Sequence, residues 1–276
     1  MGAAHDVSAL RQMLAGLEAE RLPGASNSFN LGAAGPDDVL ANTLARGALH
    51  EIYAAQGADM PAASGFALAL ALRASGPAGE ARPIVWVRQD FLDAEAGRLH
   101  AHGLIALGLD PSRLILVRAR DPEQALRAAG DAVRCSALGA VLLEPWGEPK
   151  ALDLTATRRL ALRAGESGVT LFLLRMASKP SASVAVTRWL VAPAISTPLA
   201  ADAPGAPTFT ATLLRHRGGI QGHKWNLEWD YENCSFHDIA ALSRAVVPVP
   251  AGRPAASGAP PAEIQPFEVA RFRRTG

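Results

Sequence analysis

The sequence predicts an α/β fold with a mostly parallel sheet flanked by helices and with antiparallel strands at the C-terminal end. Between residues 49 and 176, apolar runs of strand length alternate with amphipathic stretches of helix length, which is typical of a parallel sheet covered on both faces. From residue 183 onward the strand-like runs follow one another without helices, which favours antiparallel pairing. The chain has 276 residues, 49% of them hydrophobic, and can therefore fill one large core.

The central region is predicted to alternate strands with helices. Each strand is a nearly continuous apolar run, and each helix carries apolar residues at helical spacing. Asp121-Pro122 and Asp153 stand where a helix cap or a first-turn proline is favoured. The strands are predicted at residues 49–54, 84–88, 114–119, 140–145 and 170–176, and the helices at 38–44, 64–75, 97–107, 122–134 and 155–167.

Three further strands are predicted after this region, at residues 183–193, 209–217 and 224–231. The segment from Gly218 to Gly222 is rich in glycine, which favours a tight turn, so the last two strands are predicted to form a hairpin. The domain is therefore expected to span residues 29–240.

Two appendages flank this domain. Residues 1–28 are predicted to form an amphipathic helix and a linker, either as a docking arm or as a helix packed on its own domain. Residues 241–276 contain five arginines against two glutamates and are predicted to be a disordered, proline-containing tail with one island, IQPFEVARFRRTG, suited to binding a partner. The candidate partner-binding residues are Leu10, Met13, Leu14 and Leu17 in the helix and Phe267, Phe272 and Arg273 in the tail.

Composition excludes several classes of protein. The formal net charge of +1 argues against wholesale electrostatic binding to nucleic acid or membrane. Cys135 and Cys234 have neither the density of a disulfide scaffold nor the spacing of a zinc site. The N-terminus lacks the apolar core of a signal sequence, and no stretch approaches a membrane span. A reduced, cytoplasmic protein without a membrane segment is predicted.

Residues 49–73 read as strand, loop and helix, the arrangement in which nucleotide-binding α/β proteins hold phosphate. A working loop needs glycines to close the backbone around the phosphates, a lysine to neutralise them and a hydroxyl for Mg²⁺. Here no lysine lies between Ala54 and Gly65. The loop positions Ala54, Gly57, Ser64 and Gly65 are therefore predicted to be degenerate, with no cofactor and no metal bound.

Several blocks of the chain, in this order, resemble the RecA-type ATPase core and in particular the ImuA family of bacterial damage-inducible mutagenesis proteins, which are RecA- and SulA-like. The resemblance covers residues 29 to 230, and LEPWGE followed by LTATRRL is its most specific part. The blocks are LARGALHEIYA (44–54), RPIVWVRQDFLDAEAGRLHAHGL (82–104), LGLDPSRLILVRARDPEQALRA (107–128), LGAVLLEPWGEPKALDLTATRRLALRA (138–164) and TLLRHRGG (212–219).

The resemblance implies a RecA-like core whose catalytic positions are vestigial. Asp90 stands where a RecA-like enzyme has the carboxylate that polarises the attacking water, and Glu144 stands near the magnesium-linked acid. Residues 144–153 and 177–185 take the places of the two RecA loops that contact DNA, but both are too short to insert into a DNA filament. Phosphoryl transfer depends on positioning and charge stabilisation, so loss of the lysine, the glycine cradle and the metal hydroxyl predicts a protein that is not an enzyme.

By the same resemblance, the protein is expected to be a non-catalytic accessory factor in SOS-induced, error-prone translesion synthesis. Its expected partners are an ImuB-like Y-family polymerase homologue, an error-prone DnaE-type polymerase and RecA. Three alternatives stay open: an active RecA-like ATPase, a SulA-like inhibitor of cell division, and a RecA-fold adaptor serving another pathway.

A basic cluster near the predicted hairpin is a candidate DNA contact. Arg215, Arg217 and Lys224 are accompanied by Trp225 and Trp229, and basic groups with aromatic side chains can bind single strands by phosphate neutralisation and stacking. Because residues two apart in a strand share a face, these tryptophans are equally compatible with a core position. His100 and His102 are interpreted as a surface pair at a helix end rather than as metal ligands.

Overall fold

A computed structural model describes residues 28–41, 44–76 and 82–239 of the chain. The predicted N-terminal helix with Leu10, Met13, Leu14 and Leu17 lies outside the described residues. The same holds for the predicted tail with Phe267, Phe272 and Arg273, so both remain predictions.

The described chain begins with short elements and then enters the alternating region. Strands β1 (Ser28–Phe29) and β2 (Leu44–Ala45) pair with each other on either side of helix α1 (Ala34–Val39). The alternating elements are β3 (Leu49–Ala54), α2 (Met60–Ser75), β4 (Ile84–Gln89), α3 (Phe91–Glu95), α4 (Ala101–Ala106), β5 (Leu114–Ala119), α5 (Pro122–Ala132), β6 (Ala140–Glu144), α6 (Leu154–Ser167) and β7 (Thr170–Arg175). The last strands are β8 (Thr187–Pro193), β9 (Thr208–His216), β10 (Lys224–Asp230) and β11 (Ser235–Asp238).

These strands form a nine-stranded sheet in the order β11-β10-β9-β8-β3-β7-β6-β4-β5. All pairs from β8 to β5 in that order are parallel, and all pairs from β8 to β11 are antiparallel. The architecture confirms the predicted α/β fold with a mostly parallel sheet and an antiparallel C-terminal end. The β9–β10 pairing confirms the predicted hairpin.

The two faces of the sheet carry separate hydrophobic cores. Helix α2 packs against β3, β6, β7 and β8 on one face, where side chains such as Phe66 and Trp86 are buried. Helices α5 and α6 cover the other face through small and aliphatic residues such as Ala129 and Leu160. Alternation along each strand therefore decides which core a side chain enters. In the described residues, we find no helix with the length and hydropathy needed to span a membrane.

Three details of the sequence interpretation are wrong. The predicted helix 38–44 lies earlier, as α1. The predicted helix 97–107 begins only at Ala101, as α4, because Gly97 takes a positive φ of 78° and His100 caps α4 by accepting a hydrogen bond from the Gly103 amide; helix α3 was not predicted. The predicted helix 64–75 begins one turn earlier, at Met60. Strand β11 was not predicted at all.

Candidate functional site

The phosphate-loop position lies between β3 and α2. The chain leaves the sheet at Ala54, forms a short 3-10 turn at Gly57–Asp59, and enters α2 at Met60. Ser64 therefore lies in the second turn of α2 rather than at its start. Since the backbone N–H groups that can hold an anion belong to the first turn of a helix, Ser64 and Gly65 do not form a phosphate cradle.

The start of α2 is also chemically unsuited to an anion. Pro61 occupies the first turn and has no N–H to donate. Asp59 precedes the helix, is only 8% exposed, and makes no side-chain capping bond. A carboxylate at this end interacts favourably with the helix dipole, so it occupies the electrostatic role that a phosphate would have. The residues around this loop do not fit a bound nucleoside triphosphate.

Glu144, at the carboxyl end of β6, is held by a set of internal donors. It is 1% exposed. Its Oε2 accepts hydrogen bonds from Trp86 Nε1 and from Arg88 Nε, both at 3.0 Å. Ser64 Oγ lies 3.4 Å from Oε1 and donates to it. Arg88 is the direct cross-strand neighbour of Glu144, because β4 and β6 pair in that register.

Burial raises the pKa of the Glu144 carboxyl, and Arg88 and Trp86 oppose that rise. A carboxylate that binds magnesium needs an oxygen directed at the metal. Both oxygens of Glu144 are instead directed at Ser64, Trp86 and Arg88, so the carboxylate serves as one half of a buried ion pair. The contact with Ser64 shows that α2 and β6 lie next to each other at this point.

Asp90, which directly follows β4, is likewise paired. Its Oδ1 accepts from Arg118 Nε at 2.8 Å, and Arg118 also contacts Asp93 Oδ2 at 2.9 Å. Asp93 in turn accepts from Arg88 Nη1 at 2.5 Å. Arg88 thereby links Glu144 to the network that contains Asp90. The two carboxylates assigned to catalytic positions belong to one arginine–carboxylate network at the end of β4, β5 and β6.

Two cavities adjoin this network. The larger, of about 260 Å³, lies between the first turns of α2 and the segment from Ala96 to Leu107, with Trp86 and Arg88 among its lining residues. The smaller, of about 120 Å³, is lined by Asp90, Asp93 and Arg118 among others. Among the described residues, no group of three or more His, Cys, Asp or Glu side chains could hold a metal ion.

The two segments at the RecA DNA-loop positions are tied to each other. Trp146 and Met176 form an isolated parallel bridge, and the Gly147 amide donates to the Met176 carbonyl at 3.0 Å. Glu148 accepts from the Lys179 amide at 2.8 Å. Phe91 packs against Trp146 with ring centroids 5.5 Å apart. These contacts hold both segments against the end of the sheet.

The candidate DNA-contacting residues lie around the β9–β10 hairpin. Arg215, Arg217 and Lys224 are all exposed. Trp229 is fully buried, and Trp225 is partly buried with its ring 6.1 Å from that of Trp189. The core interpretation of the tryptophans is therefore confirmed, and DNA contact by the basic residues stays a prediction.

The sequence did not identify the residues that pair with Asp90 and Glu144. Arg88 and Trp86 alternate along β4 and point to the same face as Glu144, and Arg118 is on β5. One signal was available: Arg88 is a charged residue that directly follows the apolar run IVWV, at a position where burial requires a partner. Which carboxylate pairs with it depends on strand order and register, and the sequence does not show these.

The fold is that of a RecA-type protein. The crystal structure of the RadB recombinase matches 77% of this chain and 100% of its own length with a TM-score of 0.50, at 16% sequence identity. The chain is also 36% identical over 172 residues to Protein ImuA from two strains of Caulobacter vibrioides. That match covers 58% of this chain and 66% of each relative, just under two thirds. No protein-family model matches. The comparisons confirm the predicted resemblance: the chain is similar to Protein ImuA over the matched residues, and its fold is RecA-like.

Proposed function

We propose that this protein is a non-catalytic accessory factor in damage-induced, error-prone translesion synthesis. It would act by recruiting or regulating an ImuB-like Y-family polymerase homologue and an error-prone DnaE-type polymerase, and by modulating RecA. The likeness to Protein ImuA supports the pathway. The RecA-like fold would serve as a scaffold for protein surfaces rather than as a motor.

One observation carries the non-catalytic part of the proposal. Glu144, the acid in the position that magnesium would require, is buried and saturated by Ser64, Trp86 and Arg88. Phosphoryl transfer needs the metal and the phosphates held in register by preorganised charges. Three further features disfavour nucleotide binding. Residues 54–65 contain no lysine, the first turn of α2 contains a proline, and the buried Asp59 places a carboxylate before the helix.

Calorimetric titration of the full chain with ATP and Mg²⁺ tests this part. We expect no saturable heat, whereas a RecA-type ATPase titrated in parallel binds. Saturable binding that Asp90→Ala or Glu144→Gln removes would show that the network opens to accept nucleotide, and the active ATPase alternative would replace the proposal. A readout of folding, such as circular dichroism, accompanies each variant.

Association experiments test the adaptor part. We expect the purified full chain to retain the ImuB-like protein on an affinity column without nucleotide, and deletion of residues 241–276 to weaken that retention. Deletion of residues 1–22 should weaken association with RecA. Retention of neither protein by the full chain argues against the adaptor. Filamentous growth on overexpression in undamaged cells would instead support the division-inhibitor alternative.

A further inference from the structure

Helix α6 presents an exposed surface that combines leucine and arginine. Its inner side is formed by Thr157, Leu160 and Ala164, which are buried. On its outer side Leu154 is 50% exposed and Leu162 is 59% exposed. Residues four apart on a helix are neighbours, so Leu154, Arg158 and Leu162 form one continuous row. Arg159 lies beside that row and is also exposed.

Two arginines of α6 differ from three arginines of the sheet. Arg88, Arg118 and Arg188 each form an ion pair with a carboxylate within 3.0 Å. Among the described residues, neither Arg158 nor Arg159 has a carboxylate within 4.0 Å, and no hydrogen bond from their guanidinium groups is formed within the fold. Their charges and donors are therefore available to a partner.

Arg163, on the same helix, points towards helix α5. Its Nη1 lies 2.3 Å from the place where a Cβ would stand at Gly130 of α5, so it extends across the neighbouring helix. Arg158 and Arg159 are thus the exposed cations next to the leucines, whereas two exposed carboxylates, Asp153 and Glu166, lie at the two ends of the row. On the outer face of α6, Arg158 thus stands between two leucines and Arg159 lies beside them; these four residues, Leu154, Arg158, Arg159 and Leu162, are named here the α6 surface.

We infer that the α6 surface is a docking site for an acidic amphipathic helix of a partner protein. The two leucines would pack against the apolar stripe of such a helix, and the two arginines would pair with its carboxylates, since guanidinium and carboxylate match in a bidentate geometry. A nucleic acid fits less well, because leucine gains nothing from a phosphate backbone. The inference adds a surface to the proposed function and does not depend on the loss of nucleotide binding.

A designed peptide serves as the probe. A fluorescein-labelled helical peptide with leucines four residues apart and glutamates beside them is titrated with the full chain, and anisotropy reports binding. We expect the double variant Arg158→Glu/Arg159→Glu to weaken binding by about tenfold or more, and Leu162→Gln by about three- to tenfold. Arg127→Glu on α5 is the matched control, because Arg127 is also exposed and unpaired among the described residues, and it should change binding less than twofold.

Each other result decides against the inference. If the peptide does not bind, or if Arg127→Glu weakens it as much as the double variant, α6 is not the docking site. If a short DNA duplex binds and depends on Arg158 and Arg159 while the peptide does not, the surface contacts nucleic acid. If the peptide binds only after deletion of residues 1–27, the chain's own N-terminal segment is the occupant. Melting temperatures of all variants should match the parent, which excludes unfolding as the cause.

Discussion

Helix α2 on one face of the sheet and helix α6 on the other differ in how much of their surface is buried and in how their polar neighbours are paired. Nearly every turn of α2 is enclosed, and the polar groups near it are satisfied within the fold, as at Glu144. Helix α6 buries only a narrow inner stripe and exposes leucine and arginine. The carboxylates beside the phosphate-loop position are therefore paired within the fold, whereas the opposite face exposes arginines without an ion pair among the described residues.

If Glu144 depends on its buried pair with Arg88, breaking that pair should be strongly destabilising. Arg88→Met leaves Glu144 buried without its cation and should lower the free energy of unfolding by about 3–5 kcal/mol. Urea denaturation measures this change in the free energy of unfolding. Adding Glu144→Gln to Arg88→Met should recover about 2 kcal/mol, since the uncompensated charge is then absent.

Arg98→Met is the control for this pair. Arg98 also approaches Asp93, at 3.7 Å, but its side chain is 82% exposed. We expect a change below about 0.5 kcal/mol. A loss of less than about 1 kcal/mol in Arg88→Met itself would contradict the buried pair.

His50 supplies a pH-dependent test of the same face. It is 1% exposed on β3, its Nε2 donates to the Ala45 carbonyl at 2.8 Å, and its Nδ1 accepts from Thr187 Oγ1 at 2.7 Å. Burial lowers the pKa of His50 from 6.5 to about 4. The neutral ring is thus required by the fold. The stability that it contributes is fully present above pH 6.5 and is lost as the pH falls towards 4.

Between pH 7.5 and pH 5, this protonation should reduce the free energy of unfolding by about 2 kcal/mol. Urea denaturation at both pH values, repeated with His50→Gln, isolates the effect. The variant should lose most of the slope, and the part due to His216, whose pKa burial also lowers, should remain. An unchanged slope in the variant would exclude His50 as the group that titrates.

The smallest expected change in stability comes from adding a methyl group at a glycine that packs against a helix. A Cβ at Gly130 would meet only the end of the flexible Arg163 side chain, which can move away. Because alanine is the better helix former, Gly130→Ala should raise the free energy of unfolding by about 0.5–1 kcal/mol. Thermal and urea denaturation both report it.

Gly139→Ala provides the contrast on the α2 side. Its Cβ would lie 2.7 Å from the Ser75 Cα, and backbone in a packed layer cannot shift freely. We expect destabilisation by more than about 1 kcal/mol. If both alanine variants changed the free energy of unfolding equally, the two helical layers would not differ in how well they accommodate an added methyl group.

Strands were predictable where an apolar run ends at clear turn residues. The bounds of β3 and β5 agree with the prediction, because both runs are continuous and short. Helix α3 was not predicted, and the predicted helix 97–107 starts four residues before α4, because only the backbone conformation at Gly97 shows that the helix does not include it. Strand β11 follows a tight turn from Tyr231 to Cys234 and is too short to give a pattern.

The candidate site was predictable in position but not in chemistry. Asp90 and Glu144 were placed by the resemblance to the RecA-type core, and both lie at the carboxyl ends of parallel strands, which meet at one edge of the sheet. Their partners Arg118 and Arg88 lie on neighbouring strands, and the pairing depends on register between segments that are distant in sequence. The degenerate loop was visible from the sequence, whereas the earlier start of α2 was not.

The Ser64–Glu144 contact has a consequence for any attempt to give this loop a phosphate-binding lysine. A lysine in place of Ser64 would bring its ammonium group to the Glu144 carboxylate, in competition with Arg88, instead of towards open solvent where phosphates would arrive. Pro61 and Asp59 would still leave the start of the helix without a complete set of donors and with a negative charge. A lysine at position 64 alone would therefore not supply the set of donors that a phosphate cradle needs.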